Sequence, residues 1–133
     1  MKTARTIIQV SELPAVNPTY SQAIQAGGFV FVSGQTGVSP GTGRLVSDDI
    51  AEQARQAIEN TASILRSAGS SLEKVVSANI YLTDYGALSQ VNQVYGEYFS
   101  GGGAARVPPA KMSCGVTALH GGAKFEIQVV ALA

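Results

Sequence analysis

Residues 49–83, DIAEQARQAIENTASILRSAGSSLEKVVSANIYLT, decide the fold, because the spacing of their apolar side chains changes from helical to alternating. Through residue 66 the apolar positions recur three and four residues apart, which predicts an amphipathic helix. Asp49 followed by Glu52 resembles a capping box, and Gly69 provides a left-handed C-terminal stop. The alternation that begins at Val75 then predicts a strand.

Before this segment, β-branched and aromatic runs predict strands. Residues 21–26 and 29–35 are expected to pair as a hairpin, because the Gly27-Gly28 step can supply the positive φ angles that a two-residue turn needs. Residues 6–10 predict an opening strand.

After this segment, helical spacing returns over residues 84–99. Residues rich in glycine and proline then lead into two further apolar runs, 111–119 and 124–132, which flank a Gly-Gly pair and predict a closing hairpin. The order of strands, helix, strand, helix and hairpin is typical of an α+β domain with two helices on one face of a sheet. Residues 1–133 are therefore expected to form a single domain.

The composition limits the partners of this domain. Nine lysine and arginine residues balance nine acidic ones, and 45% of the residues are hydrophobic. A neutral chain without a basic cluster offers no electrostatic surface for nucleic acid or an acidic membrane, so a small-molecule ligand is expected. The N-terminus has no signal-peptide core and the chain no membrane span, which predicts a cytoplasmic protein. One histidine and one cysteine give no basis for a metal site and exclude an internal disulfide.

The closing hairpin fixes the positions of two charged residues if its central Gly-Gly pair is a two-residue turn. In that register Glu126 lies opposite Thr117, and Lys111 lies opposite Leu132. Lys111 and Glu126 are then about 20 Å apart at roughly 3.3 Å per residue, too far to act together within one subunit. A site that uses both charges therefore requires a second copy of the chain.

The same register assigns the hairpin side chains to two faces. The apolar face, expected under the helices, carries Met112, Cys114, Val116, Ala118, Phe125, Ile127, Val129 and Ala131. The mixed face carries Lys111, Ser113, Gly115, Thr117, Glu126 and Gln128, together with Val130 and Leu132. Because helices already cover one side, the apolar side chains of the mixed face favour contact with another subunit.

Short motifs occur in a characteristic order along nearly the whole chain. They include Tyr20-Ser21-Gln22-Ala23, Phe31-Val32-Ser33-Gly34-Gln35, Pro40-Gly41-Thr42-Gly43, Val91-Asn92, Tyr98-Phe99 and Phe125-Glu126-Ile127. In this order and spacing they resemble the reactive intermediate deaminase (Rid, or YjgF) family. The resemblance implies a chorismate-mutase-like α+β subunit in a homotrimer with clefts between adjacent chains. It also implies hydrolysis of enamines and imines, such as 2-aminoacrylate, to a 2-keto acid and ammonia without a cofactor.

The resemblance further implies roles for individual residues. Glu126 would handle water and protons, and Lys111 would stand in the place of the cation that binds the substrate carboxylate. The residues expected to bind substrate are Tyr20, Ser33, Gly34, Asn92, Lys111 and Ser113.

The chain departs from the family at that cation. The family pattern is Pro-Ala-Arg, whereas this chain reads Pro109-Ala110-Lys111. An arginine binds a carboxylate through two parallel hydrogen bonds, while a lysine offers a hydrated point charge on a flexible stem. Two hypotheses follow: a deaminase that uses Lys111 as its anion anchor, or a small-metabolite-binding protein without this deaminase activity. Arg106, nearby in the loop, is a candidate substitute for the missing guanidinium.

Simpler interpretations of these residues stand beside the functional ones. Lys111 fits a solvated strand end, and Glu126 fits either a surface carboxylate or a paired interface carboxylate. Tyr20 fits either an aromatic lid or ordinary packing, and its place in the motif favours the lid. His120 is expected to be a turn residue and Cys114 a core residue.

Overall fold

Six strands and two α-helices form this computed structural model, which describes residues 4–100 and 107–133. The strands are β1 (Thr6–Ile8), β2 (Ala23–Ala26), β3 (Phe29–Thr36), β4 (Val75–Leu82), β5 (Ala110–Gly115) and β6 (Phe125–Leu132). The helices are α1 (Ile50–Ser67) and α2 (Leu88–Phe99), and short 3₁₀ turns lie at Leu72–Lys74, Tyr85–Ala87 and His120–Gly122.

The strands make one mixed sheet in the order β1-β2-β3-β6-β4-β5. Neighbouring strands run antiparallel, except that β4 and β5 are parallel. Helix α1 packs on β3 and β6, α2 packs on α1, and side chains of both helices share one apolar core with the central strands. The predicted α+β arrangement, with two helices on one face, is confirmed. Within the described ranges, no helix has both the length and the apolar composition needed to cross a membrane.

The local signals predicted several elements well. Helix α1 begins after Asp49, whose carboxylate accepts a hydrogen bond from the Glu52 backbone N–H at 3.0 Å. The Glu52 carboxylate accepts from the Ser47 hydroxyl instead of closing the capping box. Gly27 and Gly28 have φ of 58° and 83°, so the β2–β3 hairpin turns where the sequence predicted.

The predicted closing hairpin is wrong, because β4 lies between β5 and β6. Strand β6 pairs with β3 on one side and β4 on the other, while β5 pairs in parallel with the outer edge of β4. The Gly-Gly pair belongs to the 3₁₀ turn His120–Gly122, so the chain crosses the end of β4 instead of folding back. The predicted register, with Lys111 opposite Leu132 and Glu126 opposite Thr117, is wrong for the same reason.

The predicted faces are right for β6 and reversed for β5. Phe125, Ile127, Val129 and Ala131 are buried under the helices, which leaves Glu126, Gln128 and Val130 on the open face. In β5, however, Lys111 aligns with the buried Ala78 of β4 and Ser113 aligns with the buried Ile80, so both lie on the helix face. Met112 and Cys114 lie on the open face, and the prediction of Cys114 as a core residue is wrong because its thiol is partly exposed.

Lys111 and Glu126 are therefore separated by the sheet itself. Lys111 aligns with Ala78 and Glu126 with Tyr81 along β4, which is about 10 Å along the strand and two strand spacings across. The predicted separation of about 20 Å is too large. The two side chains nevertheless cannot meet within one subunit, because they lie on opposite faces.

Candidate active site

A cavity of about 800 Å³ opens beside the end of β3 and the start of β6. It brings together Tyr20, Ser33, Gly34 and Glu126, four of the residues that the sequence singled out. The other lining residues are Leu13, Pro14, Ala15, Val16, Gln22, Gln35, Thr36, Val38, Gly43, Arg44, Leu45, His120 and Gly121. The predicted residues Asn92, Lys111 and Ser113 do not line it.

A β-bulge shapes the floor of this cavity. Between the pairs Val32–Val129 and Gln35–Ile127, two residues of β3, Ser33 and Gly34, face a single residue of β6. That residue is Gln128, whose side-chain amide donates to the Val32 carbonyl at 3.2 Å. The bulge turns the Ser33-Gly34 step toward the cavity and interrupts the regular ladder there.

Gly34 is required by the carboxyl group of Glu126. A Cβ atom placed on Gly34 would overlap Glu126 Oε2, so any larger residue would displace that carboxyl group. None of the described residues donates a hydrogen bond to the Glu126 carboxylate. Burial raises the pKa of Glu126, and the nearby His120 opposes this shift. Desolvation thus favours the protonated form of Glu126.

Ser33 and Tyr20 lie on the rim of the cavity. The Ser33 hydroxyl donates to the Ser21 carbonyl at 2.6 Å, which commits its proton and leaves its oxygen free to accept hydrogen bonds. Tyr20 is 54% exposed and also lines a smaller cavity of about 340 Å³ on the open face. A side chain between two cavities is better placed to cover a ligand than to pack in the core.

A buried amide fixes one wall. Gln22 is 3% exposed; its Oε1 accepts from the Val10 N–H at 2.6 Å, and its Nε2 donates to the carbonyl oxygens of Val10 and Pro14 at 3.3 Å. These bonds hold the wall segment, residues 13–16, against the start of β2. The path of that segment is therefore set by the backbone.

Lys111 belongs to a second cluster, on the helix side of β5. Its Nζ donates to Asn92 Oδ1 at 2.5 Å and lies 4.5 Å from the centroid of the Tyr95 ring. The Tyr95 ring in turn stacks on Phe99 with a centroid distance of 4.6 Å. Burial lowers the pKa of Lys111. The predicted Lys111 and Asn92 are thus in direct contact, and the cation is held by a hydrogen bond and a cation–π contact.

Comparison with known proteins shows which family this chain belongs to. Residues 9–133 match the family described as Endoribonuclease L-PSP. The protein YyfA from Yersinia pestis, a protein of unknown function of the conserved Rid family, superposes with a TM-score of 0.91 at 38% identity, covering 98% of this chain and all of YyfA. This chain belongs to the Rid family. The chorismate-mutase-like subunit predicted from the sequence is therefore confirmed.

Curated Rid relatives cover nearly the whole chain. Protein DfrA from Myxococcus xanthus is 39% identical over 131 residues, spanning 97% of this chain and 96% of its own. The 2-iminobutanoate/2-iminopropanoate deaminase of Rattus norvegicus is 37% identical over 128 residues, spanning 96% of this chain and 90% of its own. The Rid family to which this chain belongs thus includes imine deaminases.

Several residues near the two charged groups were not predicted from the sequence of this Rid subunit. The sequence around Tyr95 indicates no more than a helix residue, and only the pairing of β5 with β4 places Lys111 above its ring. His120 is the predicted turn residue, yet it also lines the cavity that contains Glu126, as does Arg44. No local pattern distinguishes these residues from ordinary polar or aromatic ones. The candidate substitute Arg106 lies outside the described residues.

Proposed function

We propose that this Rid protein hydrolyses a reactive enamine or imine of a small carboxylate metabolite, giving a 2-keto acid and ammonia. The observation that carries this proposal is the Glu126 carboxyl group, which lies over Gly34 in an open cavity, is disposed toward protonation and has no hydrogen-bond partner among the described residues. The relatives named as imine deaminases support the same reaction.

The proposed reaction balances with one carboxyl group and one water molecule. Protonated Glu126 donates its proton to the imine nitrogen, and the resulting carboxylate takes a proton from the water that attacks the imine carbon. Glu126 then donates the proton that it took from water to the amino group of the carbinolamine. The carbon–nitrogen bond then breaks, the hydroxyl proton returns to Glu126, and ammonia leaves a ketone behind. No cofactor enters these steps.

The proposed substrate carboxylate binds to Lys111 of a neighbouring subunit. Lys111 and Glu126 lie on opposite faces of one sheet, so a site that uses both has to draw them from two chains. The open face offers a surface for such an assembly, because its apolar side chains Phe29, Phe31, Met112 and Leu132 are 37 to 48% exposed. We therefore propose a homotrimer with its sites between subunits, located in the cytoplasm. Tyr20, Ser33, Gly34, Asn92 and Ser113 are proposed as the remaining substrate-binding residues.

A second function is supported by the cation itself. Lys111 is a point charge already hydrogen-bonded to Asn92, and it cannot hold a carboxylate in a fixed plane as a guanidinium does. The alternative is a small-metabolite-binding protein that does not hydrolyse 2-aminoacrylate or 2-imines. Cleavage of RNA is not proposed, since the chain has nine basic and nine acidic residues and no basic cluster.

A coupled assay separates the two functions. An amino-acid oxidase or dehydratase generates 2-iminopropanoate or 2-aminoacrylate, and the rate of keto-acid formation is measured with wild type and with Lys111→Arg. Hydrolysis by wild type clearly above the uncatalysed rate supports the deaminase. No rate with wild type and a gain with Lys111→Arg supports the binding protein.

The assembly is tested by the mass of the protein in solution. Light scattering after size-exclusion chromatography is expected to give three times the mass of one chain. A strictly monomeric species would contradict a site shared between Lys111 and Glu126.

A further inference from the structure

The cavity that contains Glu126 has two basic side chains that the proposed reaction does not use. Arg44 and His120 both line it. Among the described residues, Glu126 is the one acidic side chain that lines this cavity. The Arg44 guanidinium makes no ion pair with any described acidic residue. The cavity therefore presents a permanent positive charge that is free to bind an anion.

The backbone of Arg44 is fixed by a tight turn. The Ser39 N–H donates to the Arg44 carbonyl at 2.7 Å, and the Arg44 N–H donates to the Thr42 hydroxyl at 3.2 Å. Gly43, in the left-handed region at φ 70°, leaves room for Pro14, whose Cγ would lie 3.3 Å from a Cβ at this position. The turn that carries Arg44 is thereby packed against the wall of residues 13–16, and the origin of the arginine side chain is well defined.

The cavity of a single subunit has room for a substrate longer than three carbons. Cavities of roughly 300 to 1,000 Å³ hold drug-sized ligands, and this one measures about 800 Å³. Leu13, Pro14 and Val16 provide an apolar wall along which a side chain can extend.

We propose that Arg44 selects imines and enamines derived from amino acids whose side chain ends in a second carboxylate. This inference rests on the proposed deaminase function and names its substrate class. The α-carboxylate of the substrate faces the neighbouring subunit's lysine, the imine carbon lies at Glu126, and the distal carboxylate accepts hydrogen bonds from the Arg44 guanidinium. His120 adds a second donor on the same cavity. Arg44 is a specificity-determining residue in this scheme and takes no part in proton transfer.

The first test compares three substrates and four proteins. Imines of alanine, leucine and glutamate are generated by amino-acid oxidases and offered to wild type, Arg44→Ala, Arg44→Lys and Arg66→Ala. Arg66 is an exposed arginine in the last turn of α1, away from the cavity, and serves as the matched control. The leucine imine separates the effect of length from the effect of charge.

The expected result is a change in selectivity. Wild type should show a kcat/KM for the glutamate imine roughly tenfold above those for the alanine and leucine imines. Arg44→Ala should lose this preference, so that its kcat/KM for the glutamate imine falls by about the same factor relative to the other two imines, Arg44→Lys should recover part of it, and Arg66→Ala should leave it unchanged. Equal rates for all three imines with wild type, or an equal loss for all three with Arg44→Ala, would overturn the inference and leave the deaminase function standing.

A binding measurement separates failure of the inference from failure of the proposed function. Calorimetric titration with 2-oxoglutarate and with pyruvate requires no catalysis. Tighter binding of 2-oxoglutarate, lost in Arg44→Ala and kept in Arg66→Ala, supports the recognition of a second carboxylate by Arg44 even if no imine is hydrolysed and the proposed deaminase function fails. Equal affinity for the two keto acids would contradict it whatever the activity.

Discussion

The two charged groups of the candidate site lie on opposite faces of one sheet and differ in how they are held. On the helix side, Lys111 is fixed by Asn92 and the Tyr95 ring. On the open side, Glu126 lies over Gly34 with no hydrogen-bond partner among the described residues. Burial favours the neutral form of each group, because it lowers the pKa of Lys111 and raises the pKa of Glu126. A braced cation suits recognition of a fixed charge, whereas an unpartnered carboxyl group suits the transfer of protons.

The largest effect is expected from Glu126→Gln. The amide keeps the shape of the side chain and removes its titration, so keto-acid formation should fall by about 100- to 10,000-fold. The control is Glu73→Gln, a change at an exposed carboxylate in the 3₁₀ turn Leu72–Lys74, which should keep the wild-type rate. Activity within tenfold of wild type would show that Glu126 is not the proton-transfer group.

A smaller loss is expected from Gly34→Ala, which adds one methyl group beneath the same carboxyl group. Because the obstacle is the end of a flexible side chain, the fold should lose less than about 1 kcal/mol, while activity falls roughly 100-fold as the carboxyl group moves. Gly41→Ala is the matched control, since a Cβ there meets nothing within 4 Å. Chemical denaturation and the coupled assay give the two measurements. A normal rate in Gly34→Ala would show that the position of the carboxyl group is unimportant.

On the helix side, Asn92→Ala removes the hydrogen-bond acceptor of the Lys111 ammonium group. The cation then retains only the Tyr95 ring, so substrate affinity should fall about tenfold, seen as a higher KM with little change in kcat. Gln93→Ala, at the next and exposed position of α2, is the control. A fall in kcat alone would contradict the assignment of this cluster to recognition.

The opposite pKa shifts predict opposite trends of stability with pH. The raised pKa of Glu126 means that its protonated form is favoured by folding, and this contribution is lost as pH rises through the raised value. The stability of Glu126→Gln relative to wild type should therefore increase between pH 4 and pH 7, by less than about 1 kcal/mol since solvent screens the group. Lys111→Met should be more stable than wild type at neutral pH and should lose this advantage as the pH becomes alkaline. Denaturation series with Glu126→Gln between pH 4 and pH 7, and with Lys111→Met from neutral to alkaline pH, measure the two trends.

The smallest effect is expected from Tyr95→Phe. The Tyr95 hydroxyl is buried without a partner among the described residues, and burial raises the pKa of Tyr95 to about 12. Removing an unsatisfied hydroxyl while keeping the aromatic face should change the free energy of unfolding by less than roughly 0.5 kcal/mol and leave KM unaltered. A destabilisation above about 1 kcal/mol would reveal a hydrogen bond from this hydroxyl in the assembled protein.

The sequence predicted the elements whose signals are local. Helix α1 and the β2–β3 hairpin depend on residue spacing and on a Gly-Gly turn, and both lie where they were expected. The pairing of β5 failed because a parallel partner is distant in the chain, and nothing local tells Gly121-Gly122 in a 3₁₀ turn from the same pair in a hairpin. Strand β5 alternates only weakly between polar and apolar residues, so its own sequence does not indicate which face is buried. Its faces were therefore inferred from pairing with β6, whereas its partner is β4.

The candidate site was predicted in part for a related reason. Motif resemblance identified Tyr20, Ser33, Gly34 and Glu126, and the structure brings these four together. It could not show that Lys111 and Asn92 form a separate cluster, because that depends on which face of the sheet each strand presents. Arg44 and Tyr95 gain their places only from the folded surroundings.

The hydrogen bonds of Gln22 have an evolutionary consequence. They join the Gln22 amide to the N–H and carbonyl of Val10 and to the carbonyl of Pro14, and these backbone groups do not depend on the side chains that follow. Positions such as Ala15 and Val16 can therefore mutate without altering the course of the chain around the cavity. A subunit built in this way can acquire a new ligand preference by point substitutions while its architecture stays constant. The buried Gln22 amide holds the backbone of the cavity wall, and the side chains on that wall remain free to change.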